Sequence, residues 1–567
     1  MERIFIMGMM FCLMGSSLFF SACAHAKRDV PDAEEPSIST AEAMIDKTDP
    51  SDREFPGGRG ANQLILYTPA YGESTGTNEW GAEATVIGGI VRNVGGNNSA
   101  IPRDGFVLSG HGKGADWIAR SLYPGMEISI TGNRVVARNT ERTRLYYADE
   151  LLKKASAQLT MANSADPSIS LKELKSLEDE SRNLADKSRA AALKGDRKKA
   201  LLLARGALDK ARLHLYRSQP SRAKEIRACW YRLKEKSPQE LESTMKKLAE
   251  AGFNCLCPET IYGGYAIYPN AHPALRQNPA FAGWDPLKEL CALGKKYNIK
   301  IIPWVEVYFI GFQDSPLVSE KAEWLALGRN GKQPSTLEKG YYYFCPSREE
   351  VRRFWLEVYE YLLKTYPIDG LQLDYIRYPQ SLPWEEGYCY CSACRRGFYN
   401  RYEVDPTSLD PQKDPEKWQR WSEYRMEQVT DFVKEARAMQ KRVRPDAKLS
   451  ADVFPKLDEA TGAKFQNWPL WLEKGWLDQI YFMAYTSDAE YLRREAIDLV
   501  PKLPKGVEII TGLAPYMGFS AETLIDEIRI AREAGSQGAC LFEYGSLTAE
   551  HIHALKEGPF RLPATCP

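Results

Sequence analysis

The chain is expected to fold as an α/β protein: a (β/α)8 barrel preceded by a small β domain and a helical hairpin. Three observations lead there. From about residue 225, eight strand-like runs alternate with amphipathic helical stretches over about 340 residues. No GxGxxG turn follows the first of these runs at Leu233, which argues against a doubly wound open sheet. Acids recur near the ends of the runs, where a barrel gathers its chemistry.

In chain order, residues 1–23 read as an export signal. Arg3 precedes an apolar run that ends in Phe20-Ser21-Ala22-Cys23, too short for a comfortable membrane span. That tetrapeptide resembles a bacterial lipobox, which implies lipidation of Cys23 and anchoring in the cell envelope; ordinary cleavage or an uncleaved anchor is the alternative. Residues 24–60 are polar and rich in Pro, Ser, Asp and Glu, the composition of a disordered tether. Residues 61–140 form the small β domain, with strands expected at 64–67, 83–92, 105–108 and 127–137 between Gly-rich and Pro-Gly turns. The Ser109-Gly110-His111-Gly112-Lys113-Gly114 run lacks the spacing of a phosphate loop and reads as a strand-to-helix turn. Val107–Gly112 is similar to segments of phosphodiester-glycosidase-like domains, and no catalysis is assigned to it.

Residues 141–224 are rich in Ala, Leu, Lys, Glu and Arg, with leucines at helical intervals and breaks at Asp166-Pro167 and Lys194-Gly195-Asp196. Two or three antiparallel helices follow. They serve either as a coiled, partner-binding or dimerising element or as a spacer packed on its neighbours. Residues 225–567 make the barrel, with strands expected at 226–233, 253–259, 300–309, 370–378, 448–454, 479–485, 508–516 and 538–544.

Composition narrows the function. The 567 residues include 75 basic and 75 acidic side chains, and zero net charge argues against nucleic acid as a partner. Six scattered His without an HExxH argue against a His-built metalloprotease. The strand ends supply Glu259, Glu306, Asp374, Asp452 and Glu543, together with Tyr481, Met483, Tyr485 and Tyr516. Carboxylates ringed by aromatic side chains are what glycoside hydrolysis needs: one acid protonates the leaving oxygen, another attacks or activates water, and rings stack on sugars. The catalytic candidates are Asp374, Glu306, Asp452 and Glu543. Glu306 lies in an apolar run whose burial would raise its pKa and suit a proton donor. Asp374, near Arg377, is expected to stay ionised as nucleophile or base. Trp304, Tyr308, Tyr375, Arg377, Tyr378, Trp384 and Tyr485 are the candidates for holding the sugar.

Four stretches resemble the glycosyl hydrolase-like family 10 of bacterial lipoproteins and secreted enzymes. They are Arg227-Ala228-Cys229-Trp230; Gly252-Phe253-Asn254 with Gly264-Tyr265-Ala266-Ile267-Tyr268-Pro269; Trp304-Val305-Glu306-Val307; and Asp369-Gly370-Leu371-Gln372-Leu373-Asp374-Tyr375-Ile376-Arg377-Tyr378-Pro379. The resemblance runs from about 225 to 550. It implies a (β/α)8 glycosidase in which Asp374 matches the acid of the fourth-strand motif, and cell-wall glycan as one candidate substrate.

Three cysteines crowd into Cys389-Tyr390-Cys391-Ser392-Ala393-Cys394. Thiols at this spacing close readily around one tetrahedral cation and pair poorly with one another as disulfides. With Cys345 they are similar to the structural zinc site of family-42 β-galactosidases, which implies a closed Cys345, Cys389, Cys391, Cys394 site pinning the loop; disulfides or free thiols are the rival for an exported chain. Cys229, Cys255, Cys257, Cys291 and Cys540 read as buried apolar residues. The function expected is therefore an envelope-anchored glycoside hydrolase acting on a polysaccharide or glycan strand without a catalytic cofactor. The alternative is a carbohydrate-binding lipoprotein that retained the barrel and lost turnover.

Overall fold

The computed structural model describes residues 39–50, 62–76, 81–95, 99–161, 166–338, 340–486, 491–493, 499–500, 503–504 and 506–567. The signal segment with Cys23 and most of the expected tether lie outside the described residues. The tether does not extend to residue 60 as read: Ser39–Met44 is a strand, paired antiparallel with Arg134–Asn139. Its alternation turns Ala41 and Ala43 toward a core that holds Ile45, Leu64 and Val86. Side chains this small hide a period-2 pattern inside a polar composition.

The small sheet has eight strands, in the order Ser39–Met44, Arg134–Asn139, Glu127–Thr131, Ile90–Val94, Gly81–Ile87, Gly105–His111, Leu64–Tyr67 and Lys47–Thr48. The run expected at 83–92 is two strands, because Gly88 and Gly89 (φ 59° and 74°) form a tight hairpin turn between them. The run at 127–137 likewise folds into a hairpin. The glycine-rich run leads from the Gly105–His111 strand into a helix, Lys113–Ser121.

Three helices follow, Glu141–Met161, Leu171–Leu193 and Arg197–Arg217. Ser170 and Asp196 cap the second and third by accepting from the N–H three residues on. Leu151, Leu152, Leu208 and Leu215 lie in the same continuous apolar core as the barrel. Ion pairs fasten the outer face: Arg212 to Glu522 at 2.7 Å and Lys154 to Asp526 at 2.8 Å. The first and third helices thus pack on the barrel, while Leu184 and Ala185 of the middle helix pack against Leu145, Ala204 and Ala207 of the other two.

The barrel strands are Ile226–Tyr231, Cys255–Tyr262, Trp304–Glu306 (preceded by the short Lys300–Ile301), Gly370–Asp374, Lys448–Val453, Gln479–Met483, Glu508–Leu513 and Gly538–Leu541. Each pairs in parallel with the next, and the eighth pairs with the first, so the sheet closes. Alternation sorts the side chains. Leu371, Leu373, Leu449, Ala451, Ile480 and Leu541 face the helical layer. Ile226, Trp230, Cys257, Trp304, Tyr481, Ile510 and Cys540 fill the interior. Helices Pro238–Glu250 and Pro286–Tyr297 each begin with a side-chain cap, Ser237 or Asp285, followed by proline in the first turn. Among the described residues no helix is long and apolar enough to cross a membrane.

Candidate active site

Register places the acids side by side. Glu306 stands opposite Asp374, Trp304 opposite Gln372, and Glu259 opposite Trp304. All five strand-end acids are buried. Below them, Trp230 donates from Nε1 to Gln372 Oε1 at 2.9 Å. Trp304 donates from Nε1 to Asp374 Oδ2 at 2.8 Å, and the Tyr375 N–H donates to Asp374 Oδ1 at 2.6 Å. Tyr375 holds a left-handed backbone (φ 47°), which ends the fourth strand at Asp374. An ordinary side chain keeps this conformation only where its surroundings over-determine it.

Arg232, one residue beyond the first strand, reaches across the mouth. Its guanidinium lies 5.4 Å from the Trp304 and Phe542 rings and 5.6 Å from Tyr262, and its Nε is 3.2 Å from Glu259 Oε2. Glu543 accepts from the Gly545 N–H at 3.1 Å and lies 4.0 Å from the Lys234 ammonium. Burial raises the Glu259 carboxyl to about 7, with Arg232 opposing and Asp374 and Glu543 adding to the rise. Burial also pushes Glu306 well above the usual range, reinforced by the charges of Glu259 and Asp374. Its Oε2 is buried without a hydrogen-bond partner among the described residues. Burial, with the charge of Asp374, does the same to Asp452, whose Oδ1 is likewise unpaired.

Asp374 departs from the expectation that Arg377 keeps it ionised. Burial raises its pKa, opposed first by the Tyr375 N–H and Trp304 and only then by Arg377 and Arg232. Arg377 turns away to a buried ion pair with Glu338 at 2.9 Å. Burial alone would raise Glu338, yet Arg377 and Lys464 hold it below its ordinary value.

The sugar-holding candidates divide. Tyr485 belongs to the mouth, its ring 5.5 Å from Phe542 and 6.0 Å from Tyr516, whereas Trp304 is buried in the barrel interior and reaches the site through its bond to Asp374. Tyr375 lies between Arg377 and Phe309, half-buried beside them. Tyr308, Tyr378 and Arg377 are corrections. Tyr308 is buried against Phe432 of the Pro415–Val443 helix, 5.8 Å away, outside the barrel. Tyr378 is buried with its hydroxyl 3.0 Å from Ser347 and 4.0 Å from Cys394. The reading extended the alternation past Glu306 and Asp374, where the strands in fact stop. Trp384 packs under Arg329 and against Trp418 on the cysteine loop. Arg232, Tyr262, Phe542 and Phe312 were not singled out. Arg232 shares the alternation of Ile226, Ala228 and Trp230 within the run expected at 226–233, which was the one available signal.

The four thiols of Cys345, Cys389, Cys391 and Cys394 lie buried within 4.8 Å of one another. Sulfurs about 3.8 Å apart are what a tetrahedral zinc with bonds near 2.3 Å requires. The N–H groups of Leu327 and Cys391 donate to Cys389 Sγ from 3.3 and 3.4 Å, the outer bonds that orient a metal-binding sulfur. The residues fit such an ion. Cys229, Cys255, Cys257, Cys291 and Cys540 are free and buried.

Comparison with known proteins places the chain. Structures similar to it include the PgaB (BpsB) glycoside hydrolase domain from Bordetella bronchiseptica (14% identity over 58% of this chain and 97% of that one, TM-score 0.46). Another is the catalytic domain of β-amylase from Paenibacillus polymyxa (11%, 59% and 98%, 0.44). A third is α-L-fucosidase isoenzyme 2 from Paenibacillus thiaminolyticus (12%, 59% and 49%, 0.44). No curated protein matches the chain. The family model described as glycosyl hydrolase-like 10 matches residues 223–523, more than half of the chain, and the protein belongs to that family.

Proposed function

We propose that the protein is a glycoside hydrolase cleaving O-glycosidic bonds in a polysaccharide or glycan strand. The observation that carries this reading is the neighbouring pair Glu306 and Asp374, which differ in hydrogen bonding at the same depth. Asp374 accepts two N–H donors, which favour its carboxylate. Glu306 keeps an unpaired buried oxygen among the described residues, which favours its protonated form. Glu306 donates its proton to the glycosidic oxygen as the bond from the anomeric carbon breaks. Asp374 supplies the electron pair to that carbon, directly or through a water it deprotonates, and the protonated sugar hydroxyl leaves. Asp452 and Glu543 line the same mouth and hold the sugar hydroxyls.

The test uses the full chain against a panel of polysaccharides and glycan strands. Asp374→Asn is expected to reduce hydrolysis at least about 1,000-fold while leaving glycan binding within a few-fold of wild type. Binding by a wild-type chain that cleaves nothing would instead favour the turnover-less reading.

The cysteine cluster is proposed to hold a structural zinc through Cys345, Cys389, Cys391 and Cys394, which supplies no chemistry to the reaction and clamps the loop after the fourth strand. The Phe20-Ser21-Ala22-Cys23 sequence supports lipidation at Cys23 and attachment to the cell envelope. Cys23→Ala, followed by membrane fractionation, is expected to release the chain to the soluble fraction.

A further inference from the structure

Resting on the hydrolase reading, we propose that the end of the second strand and the loops after the second and third strands form a rigid stacking platform, over which the glycan runs out of the mouth at least one sugar beyond the bond cleaved. The platform's outer rings are Tyr262 and Phe312, 42% and 37% exposed. They stand on Phe309 and Tyr341, both buried. Tyr262 lies 6.4 Å from Phe309, and Phe312 lies 5.9 Å from Phe309 and 5.1 Å from Tyr341. Both Phe312 contacts are edge-on, at 85° and 89°, so its ring is held upright from two sides.

Two features join this surface to the acids. The Arg232 guanidinium lies over the Tyr262 ring while its Nε pairs with Glu259, and the charges of Glu306 and Glu259 act on the Tyr262 hydroxyl. The platform therefore begins where the carboxylates end. On the cysteine loop, by contrast, Tyr378, Tyr388 and Tyr390 are buried.

The backbone beneath the platform is locked by contacts only glycine permits. A Cβ on Gly311 (φ 105°) would lie 2.7 Å from Gly263 Cα, and one on Gly264 (φ 80°) would lie 2.2 Å from Ser315 Oγ. The loop after the second strand is thus wedged against the loop after the third. Rings fixed in advance lose little freedom when a pyranose face settles on them. Neutral rings exposed beside a crowd of carboxylates suit the apolar face of a sugar, and a chain entering the mouth would cross them.

The experiment measures binding by calorimetry in the full-length Asp374→Asn protein, with two- to six-unit oligosaccharides of glucose, galactose and N-acetylglucosamine as probes. Tyr262→Ala and Phe312→Ala are each expected to weaken the longer oligomers about three- to tenfold and to leave the disaccharides unchanged; Tyr262→Trp should restore the loss. Both side chains are exposed, so unchanged melting temperatures verify the fold. A loss independent of chain length, no loss in either variant, or no binding by the parent would overturn the platform. Length-dependent binding through Tyr262 and Phe312 in a wild type that cleaves nothing would keep the platform and overturn the hydrolase.

Discussion

At the scale of single residues, Arg232 governs the balance of charge in the mouth. It faces Glu259 and Tyr262 from the second strand, Glu306 from the third, Asp374 from the fourth and Glu543 with Lys234 nearby, and Asp452 and Tyr485 close the far side. Burial pushes Asp374, Glu306 and Glu259 up, and Arg232 pulls each of them down. Removing the cation lets all three rise further. Arg232→Gln is therefore expected to move both limbs of the pH profile of kcat/KM upward: the acid limb because Asp374 ionises later, the basic limb because Glu306 stays protonated longer. A shift of about one pH unit is expected for a partly exposed cation at this distance, with Arg232→Lys moving it less. A fall in rate with both limbs in place would assign Arg232 to packing alone.

The strand ends and loops are the next scale, and the cysteine loop is the clearest case. Cys345 comes from the segment ahead of the Glu349–Thr365 helix, Cys389 and Cys391 from the turn before the Ser392–Tyr402 helix, and Cys394 from the first turn of that helix. One ion would thus add a clamp between two segments already joined by backbone hydrogen bonds, Tyr390 N–H to Leu327 O at 2.7 Å and Arg329 N–H to Gly387 O at 2.9 Å. Arg425 braces the same turn by donating to Tyr388 O at 2.7 Å, with its guanidinium 3.9 Å from the Phe465 ring. Cys394→Ala is expected to eliminate bound zinc, measured by plasma emission on purified protein. It should also lower stability by more than about 3 kcal/mol, measured by urea unfolding. Wild-type protein without zinc would remove the site. The CxCxxC spacing was legible because three ligands lie within the short run 389–394, whereas Cys345, distant in the chain, joined them only through the resemblance to family-42 β-galactosidases.

For the whole molecule, the closed end of the barrel is tied by Glu225. Buried, it accepts from Arg227 Nε at 3.0 Å and from Arg532 Nε and Nη2 at 2.6 and 2.7 Å. Arg227 also donates to the carbonyls of Pro559, Phe560 and Leu562, drawing the C-terminal segment onto the first strand. Breaking a buried pair leaves its partner charge uncompensated. Glu225→Ala strands two guanidinium groups and is expected to cost about 3–5 kcal/mol in denaturant unfolding, with the pH profile of activity unchanged. The first and third helices share the barrel's apolar core and the middle one packs on them, so their loss should coincide with that of the barrel in one transition.

Strand and helix order in the barrel, the acids at its strand ends and the CxCxxC run could all be read from the sequence, because each rests on a local period or a short spacing. Tertiary structure decided what each ring and charge beyond a strand end does. Tyr308 and Tyr378 left the mouth because their strands stop at Glu306 and Asp374, after which alternation no longer dictates direction. Arg377 went to Glu338, 39 residues away in the chain, and Arg232 went to Glu259, 27 residues away. A long cationic side chain at a strand end reaches several carboxylates, and only the closed barrel selects which of them is near enough, and dry enough, to hold it.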